Sequence, residues 1–352
     1  MYVYVSLDTS QKLKKLRSSD LTEEMEASLG ESIYTLVGDA EHLYADGDPS
    51  HVIKKCQKSD LSLLTQSSDY GGKIYALAVD GDYVYVGGAT IYKIKKYLKT
   101  DMSFVGESPS YGGTIYAIGQ DDNHLYIGGV SQNVWKLLKS DLSKVAESIS
   151  YGGQIYGVAV DNNHIYVGGI TTKRIKKYLK SDLSYVAESI DLSKTLWSID
   201  DDSEYIYVGA ITPYVVHKLL KSDLSKVAES PAMDCWEICV RDYVYATGYG
   251  LVYKLLKTDL SIINQSGDYD EFIEAIWADN PLESSPGKLP RYVLEVHEPN
   301  GGALICMLEN AHNVKWSQRI NELDTLTFSL PSGDPKAAEL IGGREIWLYR
   351  RS

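Results

Sequence analysis

The side chains with most chemistry to offer occupy one recurring position. Tyr34, Tyr75, Tyr116, Tyr156, Trp197, Trp236 and Glu274 each stand just after the turn that opens an apolar run. Six aromatic rings and one acid on a shared surface would form a stacking platform for sugars. Large side chains here would equally serve as packing between repeats, which is the competing expectation. Trp197, Trp236 and Glu274 depart from the Tyr consensus, so specialisation is expected in their units. Glu274 is also the one acid that can be placed there as a general acid or base. No P-loop, dinucleotide-binding glycine motif, nucleophile elbow or zinc-protease helix is present, so no catalytic residue is assigned.

Metal chemistry has two candidate patterns. His42, His124 and His164 share one position before a strand, but in different repeats, and are expected to be solvated turn residues. Acidic hairpin tips recur at Asp80–Gly81–Asp82, Asp121–Asp122–Asn123, Asp161–Asn162–Asn163 and Asp200–Asp201–Asp202. Such oxygens suit calcium. Tight turns ask for the same residues, and no full calcium loop is matched, so the expectation is no cofactor and no metal. Four cysteines are too few for a disulfide scaffold and are read as free thiols made in a reducing compartment. Cys235 and Cys239, four strand residues apart, are too far from each other to bond.

These residues are positioned by a repeat. The string KSDLS, or a near variant, places Asp at 20, 60, 101, 141, 182, 223 and 259. A period near 40 with strand-like content predicts β-propeller blades. The unit from residue 71 yields four strands: IYALAV innermost, YVYVGG, IYKIKKYLK and SFVGES. Period-two alternation in IYKIKKYLK predicts lysines outward and apolar residues inward. The repeated Asp is expected to cap a turn by accepting backbone N–H groups. MYVYV at the start matches a second strand and IEAIWAD at 273–279 matches an inner one, so both ends are expected to complete one blade. The expected fold is all-β: a seven-bladed propeller of four-stranded blades over 1–279. Tyr4, Tyr44, Tyr85, Tyr126, Tyr166, Tyr207 and Tyr245 share one second-strand position, where packing with a partner for each hydroxyl is expected. LKSDLSKVAES occurs unaltered at 138–148 and 220–230, which points to recent internal duplication.

Composition narrows the partners. Lys and Arg number 35 against 48 Asp and Glu, a net charge of −13. The first 279 residues hold 27 basic and 39 acidic residues, a net −12. That surface repels phosphate backbones, so nucleic acid is excluded as an expected partner. No apolar run approaches the roughly 18 residues of a membrane span, and the start lacks signal-peptide order.

Over 1–279 the repeat resembles propellers of the PQQ-like and YVTN-type groups, in architecture only. After NPLESSPGKLP the pattern changes, and 280–291 reads as a linker. Over 292–352, YVLEVHE and ALICMLE predict a hairpin about PNGG, VKWSQRI and LTFSLPS a second, DPKAAELIGG a short helix, and REIWLYRRS a last strand. Trp316 and Arg319, Asn321–Glu322, LTFSLP, a Pro-containing helix and then Gly343 to Tyr349 follow in order. This stretch resembles the N-terminal part of siphovirus tail hub or tail-associated proteins. That family's domain continues further, so the segment is expected to be incomplete or completed by another chain. The apolar last strand calls for a pairing partner. The resemblance implies a non-enzymatic tail component, virion-located, made in a host cytoplasm, contacting tail proteins through 292–352, often in homo-oligomers. Its propeller would bind a host-surface glycan or protein. The alternatives are a protein-interaction scaffold outside a virus, or a lyase or hydrolase using Glu274.

Overall fold

The computed structural model describes residues 1–192, 195–211 and 214–279 in full, and the backbone of five strands between 292 and 350. Seven antiparallel four-stranded sheets form the blades of a propeller. Blade one joins Ile273–Ala278 to Tyr2–Leu7, Lys12–Arg17 and Glu23–Ser28, so both ends of the repeat region supply it. Blades two to seven follow in chain order, with inner strands Leu36–Gly38, Ile74–Val79, Ile115–Gln120, Ile155–Val160, Thr195–Asp201 and Glu237–Val240. Each inner strand packs against the next, and that of blade seven packs against that of blade one, closing the ring. Closure brings the inner strands of the first and last blades together, and no blade is left as an open end. Buried Ile, Leu and Val of adjacent blades form a separate core at each junction.

The repeated motifs are devices for these junctions. Tyr44, Tyr85, Tyr126, Tyr166 and Tyr207 donate their hydroxyls to Asp39, Asp80, Asp121, Asp161 and Asp202 at 2.8–3.0 Å. Each of these carboxylates then pairs with a lysine of the following blade: Lys99, Lys139, Lys180, Lys221 and Lys257. Asp279 of blade one pairs with Lys58 in the same way, at 3.1 Å. At the closing junction both members change, to Arg241 and Ser18. There Arg241 lies 3.5 Å from Asp200 and donates to the carbonyl of Ala278 at 3.1 Å.

The Asp of KSDLS caps its turn in all seven blades, accepting the N–H two residues on. The residue between adopts φ of 56–62°, a left-handed conformation that the turn and a buried side chain impose on Leu or Met. The expected outward lysines need correction. Lys93 reaches Glu107 on the outer strand, but Lys96 is only 5% exposed and donates to the Lys139 carbonyl of the next blade at 2.7 Å. Lys55, Lys136, Lys177, Lys218 and Lys254 repeat this bond. A long stem packs along the apolar junction while the ammonium finds a carbonyl, which period-two logic does not anticipate.

The chain divides into two compact units, Met1–Ser284 and Ser285–Ser352. In the second, Tyr292–His297 pairs with Leu304–Leu308 and with Glu345–Arg350, and His312–Ser317 pairs with Thr325–Ser329. Both expected hairpins are present, and the apolar last strand finds a partner within the unit. The linker over 280–291 and the short helix lie outside the described residues.

Candidate channel-mouth site

All seven residues of the aromatic set, at or just before the start of the inner strands that line the central channel and so near one of its mouths, are half-buried. A local device turns them inward. In blades three to six the register slips at the second inner-strand position, leaving Tyr75, Tyr116, Tyr156 and Trp197 as the extra residue of a β-bulge. Glu274 occupies the same bulge in blade one. A bulge leaves its residue without a cross-strand partner and re-aims the side chain. The second glycine of YVGG makes this possible. A Cβ on Gly88, Gly129 or Gly169 would stand 2.1, 1.9 or 1.9 Å from a backbone carbonyl oxygen of the bulged strand. Blade two keeps the second glycine as Gly47, while Asp46 stands in place of the first and its Oδ1 accepts the N–H groups of Tyr34 and Thr35 at 2.7 and 2.9 Å.

The rings form a continuous arc. Tyr75 and Tyr116 have centroids 5.3 Å apart, Tyr116 and Tyr156 4.8 Å, and Tyr156 and Trp197 4.5 Å in a stack. Trp197 meets Trp236 edge-on at 5.7 Å, and Trp236 meets Phe272 at 5.7 Å. Tyr34 joins the arc through Lys73, whose Nζ lies 3.4 Å from its ring centroid and 3.2 Å from Asp48. The stacked pair covers part of its own faces, so blade packing and an aromatic rim coexist. Beneath the rim, a cavity of about 200 Å³ is lined by Tyr34, Tyr75, Tyr116, Tyr156, Trp197 and Glu237, among others. Trp236 and Glu274 flank this cavity without lining it.

One side of the channel is acidic in a way the sequence reading missed. Glu237 accepts a hydrogen bond from Ser198, which also receives the Ile238 N–H at 3.2 Å. Burial, then the charges of Asp200 and Glu274, push the Glu237 carboxyl up to about 7 against the Ser198 and Ile238 bonds. Glu274 is also raised, first by burial and then by Asp8, with Lys73 opposing. Asp200 is raised by burial and steadied by Arg241. The expected hairpin tip Asp200–Asp201–Asp202 is only partly a tip: Asp200 and Asp201 lie on the inner strand Thr195–Asp201, and only Asp202 caps the turn. The available signal was register. Counting from Ile74, Ile115 and Ile155 aligns Asp202, not Asp200, with Asp80, Asp121 and Asp161.

The other candidate clusters serve the turns. Asp80 spends Oδ1 on the N–H groups of Asp82 and Tyr83 and Oδ2 on Tyr85. The Nδ1 atoms of His42, His124 and His164 lie 3.2–3.7 Å from the Asp of their own tips, in separate blades. Among the described residues no three His, Cys, Asp or Glu side chains converge as a metal site would require. Cys56, Cys235 and Cys239 are free and buried; the side chain of Cys306 is outside the described residues.

No family model matches the sequence, and no curated protein does. Solved structures do match in shape. The computationally designed protein Ika8 aligns with a TM-score of 0.62 and 11% identity, over 79% of this chain and 91% of its own. U3-55K aligns with a TM-score of 0.64 and 12% identity, over 77% and 88%. At such identities the likeness concerns the fold alone.

Proposed function

We propose that this is a non-catalytic recognition protein whose propeller binds carbohydrate at the channel mouth. The observation that carries the reading is the arc from Tyr75 to Trp197, aimed inward by bulges at a cavity of about 200 Å³ and continued by Trp236. Aromatic carbon meets the C–H face of a sugar, while phenol, indole and carboxyl groups meet its hydroxyls. The tail-like order of motifs in 292–352 supports a finer reading: the propeller is a host-attachment or adaptor module of a phage or phage-derived tail, joined to other tail proteins by that unit. Tail tape-measure and baseplate genes beside this one would support that part; housekeeping neighbours would point to a scaffold outside a virus.

The test is a glycan array with the full chain, beside a Trp197→Ala/Trp236→Ala variant whose fold is verified by circular dichroism. Binding that the variant loses supports the mouth. Binding that survives places recognition elsewhere on the propeller, and no binding to any sugar refutes the carbohydrate reading.

A further inference from the structure

We infer that the sugar recognised is an amino sugar: its ring packs on the aromatic rim beside Trp197, and its protonated primary amine is received by the Glu237 carboxylate. This rests on the carbohydrate reading and narrows it to one side of the ring, where blades six, seven and one meet.

The repeats themselves locate that side. Directly below the rim, blades two to five and blade one present Thr35, Ala76, Ala117, Gly157 and Ala275, whereas blades six and seven present Ser198 and Glu237. On the rim, the same three adjacent blades carry Trp197, Trp236 and Glu274 in place of Tyr. The departures from the repeat are therefore contiguous in space. Packing alone explains a larger ring, but it gives no reason for a carboxyl at a position that five other blades fill with Thr, Ala or Gly.

Glu237 also differs from three other acids near the channel. Asp200 lies 3.5 Å from Arg241, Asp201 pairs with Lys221, and Asp48 lies 3.2 Å from Lys73. Among the described residues no Lys or Arg pairs with Glu237, whose hydrogen bond comes from the neutral hydroxyl of Ser198. A half-buried carboxylate without a cation is unfavourable, and a ligand ammonium supplies the missing charge. Its raised affinity for a proton expresses the same deficit. The cavity, about 200 Å³, falls below the roughly 300–1,000 Å³ of ordinary ligand pockets, which suits one terminal ring rather than a chain. A net charge of −12 over 1–279 attracts a cation from a distance.

The experiment is calorimetry of the full chain, at neutral pH and low salt, with three tetrasaccharides: glucosamine units, their N-acetylated counterparts, and neutral glucose units. The expected result is that the free amine binds roughly tenfold or more tighter than the other two, as a charge-assisted hydrogen bond implies. Glu237→Gln, which keeps shape and can still accept from Ser198, is expected to bring the free amine down to the affinity of the other two sugars. Equal binding of all three sugars by the unaltered protein overturns this inference and leaves the carbohydrate reading standing. No binding of any of the three overturns this inference, and the glycan array then decides the carbohydrate reading. A preference that survives Glu237→Gln but disappears in Glu274→Gln overturns the assignment to Glu237.

Discussion

Removing the Asp121 carboxylate should weaken the junction between blades four and five by an amount its contacts allow. Oδ1 accepts the N–H groups of Asn123 and His124 at 2.9 and 2.8 Å, and Oδ2 accepts the Tyr126 hydroxyl at 2.9 Å. Lys180 of the next blade lies 3.5 Å from the same oxygen. The turn bonds resemble helix caps, at about 1 kcal/mol together once water replaces them at the exposed tip. The buried hydroxyl bonded to a charge contributes about 1.5 kcal/mol, and the partly exposed ion pair about 0.5 kcal/mol. Asp121→Ala should then cost about 3 kcal/mol. Asp121→Asn, which keeps the turn bonds, should cost about 1 kcal/mol, and Tyr126→Phe about 1.5 kcal/mol. Unfolding entropy near 2.1 cal/mol/K per residue, over 279 residues, makes 3 kcal/mol a fall in Tm of about 5 °C. Urea titration at pH 7, with the midpoint followed by Trp fluorescence, measures each variant. An Asp121→Ala protein within about 0.5 kcal/mol of the parent would refute the view that this repeated triad holds blades together. So would full additivity of Tyr126→Phe with Asp121→Ala, because the two share one bond.

The same ion pairs set a pH profile with two arms. Asp39, Asp80, Asp121, Asp161 and Asp202 are held below the usual carboxylate range, against burial, by Lys partners, tyrosines and backbone N–H groups, so their stabilisation should be lost as pH falls below about 4. Burial pushes Asp46 and Glu237 up to about 7 and Asp201 up to about 6, so these favour the folded state increasingly as pH falls from about 7 toward 4. Denaturation midpoints should therefore peak near pH 5, and Asp46→Asn should flatten the slope between pH 5 and 8; a peak at pH 8 contradicts the assignment. Gly129→Ala should cost more than about 3 kcal/mol or prevent folding, since its Cβ would stand 1.9 Å from the Thr114 carbonyl oxygen, whereas Gly106→Ala, with open space around it, should be nearly silent in the same melt. Arg241→Ala should open the closing junction more easily than Lys180→Ala opens its own, because it removes the bond to the Ala278 carbonyl of blade one together with the cation beside Asp200; hydrogen exchange should rise first in Tyr2–Leu7 and Ile273–Ala278.

What the sequence determined by itself is everything that the repeat encodes. Periodicity gave the strand count, the blade number and the closure by residues at both ends of 1–279, because each is a one-dimensional property of spacing and side-chain alternation. The turn-capping Asp of KSDLS and the partnered Tyr of the second strand were legible for the same reason: their main bonds are to residues two and five away. The aromatic position after the turn was legible as a set, since every blade places it on or just before its inner strand. The contacts across junctions carry no such signature. Lys96 looks like a solvent-facing lysine until the next blade brings the Lys139 carbonyl within 2.7 Å. Glu237 reads as one more acid in a strand until Ser198 and Asp200, from the neighbouring blade, surround it in the channel. Inter-blade hydrogen bonds and the desolvation of a carboxyl depend on distances between residues some 40 positions apart. A repeat guarantees that such distances recur around the ring, but not which side chain meets which.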